Sequence, residues 1–444
     1  MTAPTSEPGV AAVVVLAAGA GTRMKSRTSK LLHEVAGRTL LSCAVDAARA
    51  VSPERLVVVV GHQREQVQTH LSEIAPDVTI AVQEQPNGTG DAVRSGLVPI
   101  PDVQGEVVVT MGDVPMLSGE TLAELVATHR RHGDAATVLT TVLDDAGSYG
   151  RVVRDADGQV TAIVERKDCT PEQVAIREIN AGIYVFDADV LRAGLASLTT
   201  DNAQGELYLT DVIRYARSSG GRVHPQVLTD AWQAEGINDR VQLAAMGKEV
   251  NRRICERWMR AGVTIVDPDT TWIEDTVSIE QDVTLLPGTH LRGATTIKSG
   301  ARVGPDTTLV DVEVDEDATV TRSDCTLALI GARATVGPYA LLRPGSELGE
   351  EVRLGTFVET KNARVGRGAK IPHVAYVGDA EVGAEANIGP GVVFGNYDGA
   401  AKHHTEVGRG GFIGAGAVLL APVTVADGAY VAGGSVITDD VARG

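Results

Sequence analysis

The chain has few cysteines and no long apolar run. Its 444 residues include only 4 cysteines, and Cys43, Cys169, Cys255 and Cys325 stand far apart without a C-x-x-C pair. This spacing argues against a disulfide framework or a zinc cluster and favours a reducing cytoplasm. No run of about 18 apolar residues is present, and the first residues have no apolar segment, so we expect neither membrane insertion nor export. We expect residues 1–10 to form a disordered tail.

Basic residues are also scarce. Lys and Arg number 40 against 58 Asp and Glu, which gives a formal net charge of -18. A nucleic-acid footprint or an anionic membrane patch needs clustered Lys and Arg, so we expect neither partner. Small anionic ligands would have to be bound by local basic groups or by a metal ion. The length is sufficient for two or three domains of about 150 residues each.

A glycine-rich segment, residues 16–24, follows a short apolar run near the start of the chain. Gly19 and Gly21 would let backbone N–H groups approach phosphate oxygens, and Arg23 and Lys30 add positive charge. It is neither a Walker loop nor a dinucleotide fingerprint, which would need a third glycine where Met24 stands. The segment predicts a nucleoside triphosphate site; a tight strand-to-helix turn is the plain structural alternative.

The first half of the chain alternates short Val/Ile/Leu runs with helical stretches. From residue 11 to 240 this alternation predicts a Rossmann-like α/β domain around a largely parallel sheet. Ligands of such sheets bind at the carboxyl ends of the strands, where the glycine-rich segment and Gly112-Asp113 both fall. Residues 241–262 then show apolar residues at helical spacing, which predicts a linker helix.

Beyond this helix the apolar residues recur every six positions. The clearest run is Val407, Ile413, Leu419, Val425, Val431 and Ile437. Such a repeat predicts a parallel β-helix over residues 263–444, whereas an ordinary β-sandwich would show a period of two. The repeat resembles that of the hexapeptide-repeat acyltransferases, and this resemblance implies a left-handed helix of triangular coils and a homotrimer.

The glycine-rich segment and its lysine resemble the signature of sugar-1-phosphate nucleotidylyltransferases. Further segments match in order at Gln83, 88–90, 112–115, 149–151, 163–165, 178–182, 205–211 and 235–238. With the repeat, the chain resembles the bifunctional bacterial family of N-acetylglucosamine-1-phosphate uridylyltransferases/glucosamine-1-phosphate acetyltransferases. The resemblance implies acetyl transfer from acetyl-CoA to glucosamine-1-phosphate, then uridylyl transfer from UTP to N-acetylglucosamine-1-phosphate with release of pyrophosphate. The product, UDP-N-acetylglucosamine, would serve peptidoglycan and other envelope polysaccharide synthesis.

For uridylyl transfer the resemblance assigns Asp113 and Asn238 to a metal, Mg²⁺ or alternatively Mn²⁺, although a lone Asp at a strand end is more often a solvated turn carboxylate. Arg23 and Lys30 would stabilise the charge of the triphosphate. The residues implied in binding UTP or UDP-N-acetylglucosamine are Leu16, Ala17, Ala18, Gly19, Gly21, Lys30, Gln83, Gly88, Thr89, Gly150, Glu165, Asn180 and Asn238. One departure is Ser29, where the family often has proline; losing that rigid φ would loosen the loop.

For acetyl transfer the resemblance assigns the general base to His373. A histidine pKa of about 6.5 suits removal of a proton from an ammonium, although a histidine next to proline is more often a surface or packing residue. Glucosamine-1-phosphate would contact Arg343, Lys361, Tyr376 and Asn387. Acetyl-CoA would contact Asn396, Tyr397, Lys402, Ala415 and Gly433, with Asn396 also near the sugar.

Departures from the family pattern weaken this second assignment. Ala415 stands where the family often has serine, and Gly433 stands where it often has alanine. The family also continues into a tail with an arginine near acetyl-CoA, and that tail has no counterpart before Gly444, so we expect a C-terminal segment to be missing.

Other functions fit the sequence less well. A single-activity nucleotidylyltransferase could carry the β-helix only to build an oligomer, but it would not need Arg343, Lys361, His373 and Tyr376 together. A regulatory subunit without turnover should have lost Lys30 or Asp113. A zinc lyase of the gamma carbonic-anhydrase type would need converging histidines, and His373, His403 and His404 are poorly spaced for that.

Overall fold

In the computed structural model, residues 9–443 are described, and the chain divides into two compact units with the boundary between Gly247 and Lys248. The expected tail over residues 1–10 lies largely outside the described residues. Val10 is described, and it is buried with its N–H directed at the Val51 carbonyl oxygen 3.5 Å away. The chain is therefore already packed at the last residue of the predicted tail.

The N-terminal unit alternates strands and helices. Its strands are β1 (Ala12–Ala17), β2 (Glu34–Val35), β3 (Arg38–Thr39), β4 (Arg55–Val60), β5 (Thr79–Val82), β6 (Glu106–Met111), β7 (Ala136–Val142), β8 (Arg151–Arg154), β9 (Val160–Val164), β10 (Glu178–Asp187) and β11 (Val223–Leu228). Its α-helices are α1 (Leu40–Arg49), α2 (Arg64–Ile74), α3 (Thr89–Leu97), α4 (Gly119–His132), α5 (Pro171–Val174), α6 (Ala188–Ser197) and α7 (Asp211–Ser218). Short 3-10 turns lie at Thr22–Met24, Lys30–Leu32, Arg166–Asp168 and Ala231–Ala234.

The main sheet of this unit has the strand order β11-β7-β10-β6-β1-β4-β5, with the β8–β9 hairpin paired to β10. Strand β1 is parallel to β4 and β6, and β7 is parallel to β11. Strand β10 runs antiparallel between β6 and β7, so the sheet is mixed rather than wholly parallel. Every residue of β1 is buried, because helices cover both faces of the sheet.

The two faces of the sheet carry two apolar clusters. Successive β-strand side chains point to opposite faces, so Val14 and Leu16 join one cluster while Val13 and Val15 join the other. The strands are thereby fixed in register, and the carboxyl ends of β1 and β6 lie side by side. The glycine-rich segment and Asp113, which follow these strands, are brought to one edge of the sheet.

The next helix, α8 (Arg240–Arg260), lies where the linker helix is predicted. The C-terminal unit then consists of strands that are mostly short. They are β12 (Thr264–Ile265), β13 (Trp272–Ile273), β14 (Ser278–Ile279), β15 (Thr284–Leu285), β16 (Thr289–Arg292), β17 (Thr296–Ile297), β18 (Arg302–Val303), β19 (Thr307–Val310), β20 (Glu313–Val314), β21 (Thr319–Val320), β22 (Asp324–Thr326), β23 (Ala328–Ile330), β24 (Thr335–Val336), β25 (Leu341–Leu342), β26 (Ser346–Leu348), β27 (Arg353–Val365), β28 (Lys370–Val382), β29 (Asn387–Ile388), β30 (Val393–Gly395), β31 (Thr405–Val407), β32 (Phe412–Ile413), β33 (Val418–Leu420), β34 (Val423–Val425), β35 (Tyr430–Val431) and β36 (Val436–Ile437).

Most of these strands pair in parallel with the strand three places later, so three six-residue units complete one coil of a left-handed parallel β-helix. The six-residue repeat is therefore confirmed as the structural repeat. Val407 pairs with Val425, Ile413 with Val431 and Leu419 with Ile437. These pairs stack into aliphatic columns, of which Val407, Ile413, Leu419, Val425 and Val431 are buried.

The regular coil changes at two long strands. Strands β27 and β28 each span 13 residues and pair along most of their length, including Thr356 with His373 and Glu359 with Tyr376. The following coil closes when Ala380 pairs with Thr405, and the chain between β30 and β31 forms an extra loop, residues 396–404. Among the residues described here, no helix is long and apolar enough to cross a membrane.

The close approach of β27 and β28 yields a test of this packing. A Cβ added at Gly355 would lie 1.9 Å from the Pro372 carbonyl oxygen, next to His373. We expect Gly355→Ala to destabilise the β-helix by about 1–3 kcal/mol, because neither backbone can give way without disturbing the ladder. Urea unfolding would measure the change.

Gly247→Ala is the control, since no atom lies within 4 Å of a Cβ at this position. Alanine should stabilise α8 by about 0.5–1 kcal/mol relative to glycine. Equal stability of the Gly355→Ala protein and the wild type would contradict the packing described here.

Candidate active sites

The glycine-rich segment leaves β1 and turns sharply towards Lys30. Gly21 has φ 58°, and a Cβ there would lie 2.8 Å from the Lys30 Cβ, so only glycine fits without displacing the lysine. Ser29, which precedes the lysine, has φ -54° and donates its backbone N–H to Gln66 Oε1 at 3.0 Å. A hydrogen bond that proline could not make therefore holds Ser29 in this structure.

Lys30 meets both predicted metal ligands. Its Nζ forms a very short ion pair with Asp113 Oδ2 and lies 3.5 Å from Asn238 Oδ1. The Lys30 and Asp113 side chains are only 10% and 14% exposed, so the charge of each is compensated mainly by the other. Asn238 reaches this point because the Ile237 N–H donates to the Asp113 carbonyl oxygen at 3.0 Å. Two oxygen ligands from distant segments thus face one cation.

Two adjoining cavities open around this point. The first, of about 320 Å³, is lined by Leu16, Ala17, Ala18, Gly19, Lys30, Gln83, Gly88, Thr89, Asp113 and Asn238 together with Leu31, Pro86, Ala92, Met111 and Glu206. The second, of about 270 Å³, is lined among others by Gly150, Glu165 and Asn180. Leu16, Thr89, Met111, Asp113 and Asn238 line both. The predicted binding residues are thereby brought together, with two exceptions that line neither cavity, Gly21 and Arg23.

A turn held by several hydrogen bonds bounds the first cavity. Gln83 Nε2 donates to the Gly88 carbonyl oxygen at 3.1 Å and to Asp91 Oδ2 at 3.0 Å. Gly88 has φ 108°, and a Cβ there would lie 2.5 Å from the Leu207 carbonyl oxygen. Thr89 Oγ1 accepts the Leu209 N–H at 3.1 Å. Segments distant in sequence therefore hold this turn in one conformation.

The second cavity presents a buried carboxyl group and an amide. Thr210 Oγ1 donates to Glu165 Oε1 at 3.2 Å, and burial raises the pKa of Glu165 above its ordinary value. Asn180 Nδ2 donates to the Tyr184 hydroxyl at 2.7 Å, while its Oδ1 accepts the Gly182 N–H at 3.0 Å. These polar groups are suited to the hydroxyl and amide groups of a sugar.

Several lining residues have no role in the sequence prediction. Met111 lines both cavities, and the Tyr149 hydroxyl donates to Glu235 Oε2 at 2.9 Å. Burial raises the pKa of Tyr149 further above neutral pH. Arg151 donates to the carbonyl oxygens of Ala146 and Gly147 at 3.1 and 3.0 Å, which fixes the loop before Gly150. Tyr149, Arg151 and Glu235 lie in the matching segments, but their partners depend on the fold.

Arg23 does not reach the cavities. It lies exposed in the Thr22–Met24 turn, whereas Met24 beside it is buried. Its predicted part in binding the triphosphate would require the turn to move.

In the β-helix, Asp379 gathers several predicted residues. Lys361 Nζ lies 3.2 Å from its Oδ1, Asn362 Nδ2 donates to the same oxygen at 2.9 Å, and Asn396 makes a very short hydrogen bond to Oδ2. Asn396 Nδ2 also lies 3.4 Å from the Tyr376 hydroxyl. We name Tyr376, Lys361, Asn362, Asp379 and Asn396 the Asp379 cluster.

Hydrogen bonds stabilise the charged form of Asp379 in this cluster. Burial raises the pKa of Asp379, but hydrogen bonds from Asn362, Asn396 and Lys361 outweigh it, so its pKa lies below the ordinary value. The Lys361 ammonium lowers the pKa of Lys402. Asp379 is not among the residues that the sequence predicts for this site. Its position three residues after Tyr376 on the same strand is the only sequence signal, and this signal does not reveal the hydrogen-bond partners of Asp379.

The remaining predicted residues of this half lie elsewhere on the β-helix. His373 is exposed on β28, Asn387 lies in β29, and Ala415 and Gly433 occupy stacked turns, where the Gly434 N–H donates to the Ala415 carbonyl oxygen at 2.8 Å. Within residues 9–443, no hydrogen bond or ion pair joins these four to the Asp379 cluster. These four residues therefore do not belong to the hydrogen-bonded Asp379 cluster.

Other predicted residues form local pairs. Arg343 Nη1 lies 2.9 Å from Glu359 Oε1. In the loop 396–404, the Tyr397 hydroxyl donates to the Gly399 carbonyl oxygen at 2.7 Å, and His403 Nε2 lies 2.6 Å from Asp398 Oδ2. His403 is thus held by its own loop.

The chain was compared with known proteins. Residues 12–241 match the family model described as nucleotidyl transferase. The Bifunctional protein GlmU of Pseudarthrobacter chlorophenolicus is 56% identical over 439 residues, which cover 98% of this chain and 89% of that protein. That of Paenarthrobacter aurescens is 55% identical over 439 residues, covering 98% and 88%. That of Micrococcus luteus is 51% identical over 458 residues, covering 100% and 92%.

The Asp379 cluster gives a test of the second site. Asp379→Asn removes the charge that balances Lys361 and replaces an acceptor with an amide that partly donates. We expect acetyl transfer to fall about 100-fold, on the scale of 1.5–3 kcal/mol for a hydrogen bond to a charged group. Thiol release from acetyl-CoA would be followed.

Uridylyl transfer by the same protein is the internal control and should equal the wild-type rate. Asp398→Asn is the matched variant, since its partner His403 lies outside the cluster. Normal acetyl transfer in Asp379→Asn would remove this carboxylate from the site.

Proposed function

The chain belongs to the family of bifunctional GlmU proteins, and we propose that the two groups of residues described above form its two active sites. It is a bifunctional transferase that carries out two consecutive steps of UDP-N-acetylglucosamine synthesis. Acetyl transfer from acetyl-CoA to glucosamine-1-phosphate comes first, and uridylyl transfer from UTP to N-acetylglucosamine-1-phosphate, which releases pyrophosphate, comes second. The product serves peptidoglycan and other envelope polysaccharide synthesis.

The proposal for the uridylyl site rests on one observation: the side-chain oxygens of Asp113 and Asn238 converge on a single point. Both supply oxygen atoms, and both already face a cation, the Lys30 ammonium. The family requires a divalent metal, and hard oxygen ligands that leave room for phosphates and water suit Mg²⁺, with Mn²⁺ as the alternative. When bound between Asp113 and Asn238, this ion would neutralise phosphate charge.

The two cavities fit the two substrates of this step. UTP would occupy the cavity lined by residues 16–19, Gln83, Gly88 and Thr89, and the sugar phosphate would occupy the cavity lined by Gly150, Glu165 and Asn180. A phosphate oxygen of the sugar phosphate attacks the α-phosphorus, a P–O bond forms, and the bond to pyrophosphate breaks. Lys30, and Arg23 once its turn closes, would stabilise the charge on the triphosphate.

Lys30 has two roles in this proposal, and both can be measured. Lys30→Ala should lower uridylyl transfer by about 100-fold or more, because a charged donor to the triphosphate is lost. It should also strengthen Mn²⁺ binding without nucleotide, because the ammonium no longer occupies the oxygens of Asp113 and Asn238. Electron paramagnetic resonance of Mn²⁺ would measure the second effect.

Lys167→Ala is the matched control, since Lys167 is an exposed lysine that lines neither cavity. Wild-type turnover in Lys30→Ala would remove the lysine from the mechanism. Unchanged Mn²⁺ affinity would show that Lys30 does not compete for the metal ligands.

For acetyl transfer, we propose that Arg343 and Lys361 bind the phosphate of the sugar and that Tyr376 and Asn387 place its ring. His373 takes a proton from the ammonium; the amine attacks the thioester carbonyl, the C–N bond forms and the C–S bond breaks. The thiolate of coenzyme A leaves and is protonated. Asn396, Tyr397, Lys402, Ala415 and Gly433 would contact acetyl-CoA.

We propose a homotrimer because the β-helix exposes stacked aromatic side chains. The Phe412 and Tyr430 rings stack with centroids 4.9 Å apart, yet the two residues are 39% and 68% exposed. Tyr339 and Phe357 stack at 5.5 Å and are also exposed. Contacts between chains would cover these rings.

Tyr430→Asp tests this assembly. A carboxylate on the stacked pair should favour the monomer and lower acetyl transfer, while uridylyl transfer remains near wild type, because its cavities lie within one unit. Light scattering after size-exclusion chromatography would give the mass. Val266→Asp is the control for surface charge, because Val266 is 55% exposed on the β-helix and belongs to neither proposed site. A monomeric wild type with full acetyl transfer would contradict the proposal.

We further propose that residues 11–240 carry uridylyl transfer and residues 263–444 carry acetyl transfer, with 241–262 as the linker. We place the protein in the cytoplasm. In the part of the chain that the structure describes, Cys169, Cys255 and Cys325 form no disulfide, which supports a reducing compartment.

A further inference from the structure

A cluster of two histidines and an aspartate lies at the amino ends of β7 and β11. His132 is the last residue of α4, and Gly133, with φ 58°, ends the helix and directs Asp134 inward. His224 is in β11, opposite Thr137 of β7. The uridylyl cavities open at the carboxyl ends of the neighbouring parallel strands. The cluster therefore lies at the opposite edge of the sheet and plays no part in the proposed mechanism.

The hydrogen bonds fix how each ring presents its nitrogen atoms. The His132 Nδ1 lies 3.0 Å from the Thr128 carbonyl oxygen and must therefore carry a proton, which leaves Nε2 with its lone pair. The His224 Nδ1 lies 2.7 Å from Asp134 Oδ1 and likewise donates. The rings stack with centroids 4.1 Å apart and an angle of 17° between their planes. Two imidazoles are thus held side by side, next to a carboxylate.

A hydrogen bond from Thr137 fixes the buried Asp134 carboxylate. Its side chain is 0% exposed, and its Oδ2 accepts the Thr137 hydroxyl at 3.1 Å. Thr137 Oγ1 lies 3.0 Å from His129 Nδ1, and burial lowers the pKa of His129, so this histidine adds no positive charge. Arg222 Nε, in a side chain that is 59% exposed, is 3.9 Å from Asp134 Oδ1. A buried carboxylate thus faces two partly exposed imidazoles.

We propose that His132, Asp134 and His224 form a second metal site, for a divalent transition ion of the Zn²⁺ class. One ligand atom from each residue lies within 4.8 Å of the others. Two imidazole nitrogens and a carboxylate oxygen form a ligand set that suits Zn²⁺ and disfavours Mg²⁺. Tetrahedral coordination places ligand atoms about 3.3 Å apart, so binding would draw the two rings and Asp134 together.

The ion would act on stability rather than on catalysis. It would join the end of α4 to the edge strand β11, two elements that are distant in sequence. An ion that binds only the folded state stabilises it in proportion to the logarithm of its concentration over the dissociation constant. For Asp134 to coordinate the ion, its hydrogen bond with His224 Nδ1 would be exchanged for a bond to the ion, and the imidazole proton would move from Nδ1 to Nε2.

The test uses the untagged full chain and Zn²⁺ alone. Calorimetric titration should show one tight site, and Zn²⁺ should raise the melting temperature. His132→Gln and His224→Gln should each weaken this binding by about 100-fold and abolish the thermal shift. Co²⁺ gives a second readout, because a tetrahedral site with nitrogen ligands produces visible absorption that the variants should lack. Both variants should keep wild-type uridylyl transfer.

His290→Gln is the matched control, since His290 belongs to the β-helix strand β16. It should bind Zn²⁺ as the wild type does. Equal Zn²⁺ affinity in the wild type and both cluster variants, or no Zn²⁺ binding by the wild type, would overturn the proposal. Neither result would bear on uridylyl or acetyl transfer, which are assayed separately.

Discussion

The charge of the Asp113 carboxylate is the constraint on which the proposed uridylyl site depends. The group is only 14% exposed, so it needs a counter-charge and cannot rely on water. Lys30 supplies that charge because Gly21 leaves space for the lysine, and Asn238 arrives because Ile237 bonds to the Asp113 backbone. Loops from three parts of the chain are thereby fixed around a single anionic group.

The two units pair Lys30 and Lys361 in different ways, although the whole chain is acidic. In the first, one ammonium lies between ligand oxygens at a sheet edge and can be displaced. In the second, Lys361 is bound to Asp379, which also fixes two asparagines, so the cation is part of a hydrogen-bonded framework. Local pairing of charge, rather than net charge, explains how an acidic protein binds phosphates.

Much of this structure could be predicted because it follows from local patterns. A six-residue period fixes which residues pair between successive coils, as the pairing of Val407 with Val425 shows. The conformation of the glycine-rich segment likewise follows from its own residues. Other features depend on contacts between distant segments. The antiparallel direction of β10, the hydrogen bond of Ser29 to Gln66 and the role of Asp379 depend on which segments become neighbours. A motif gives the identity of a residue, but not its partner.

The extra loop 396–404 has a consequence for how such an enzyme can change. The coils on either side continue to pair across it, with Tyr376 opposite Val393 and Ala380 opposite Thr405. Each coil contacts only its neighbours, so an insertion that leaves and re-enters the stack at adjacent points costs little in stacking energy. The loop can therefore change in length or sequence without displacing the coils that it leaves and re-enters.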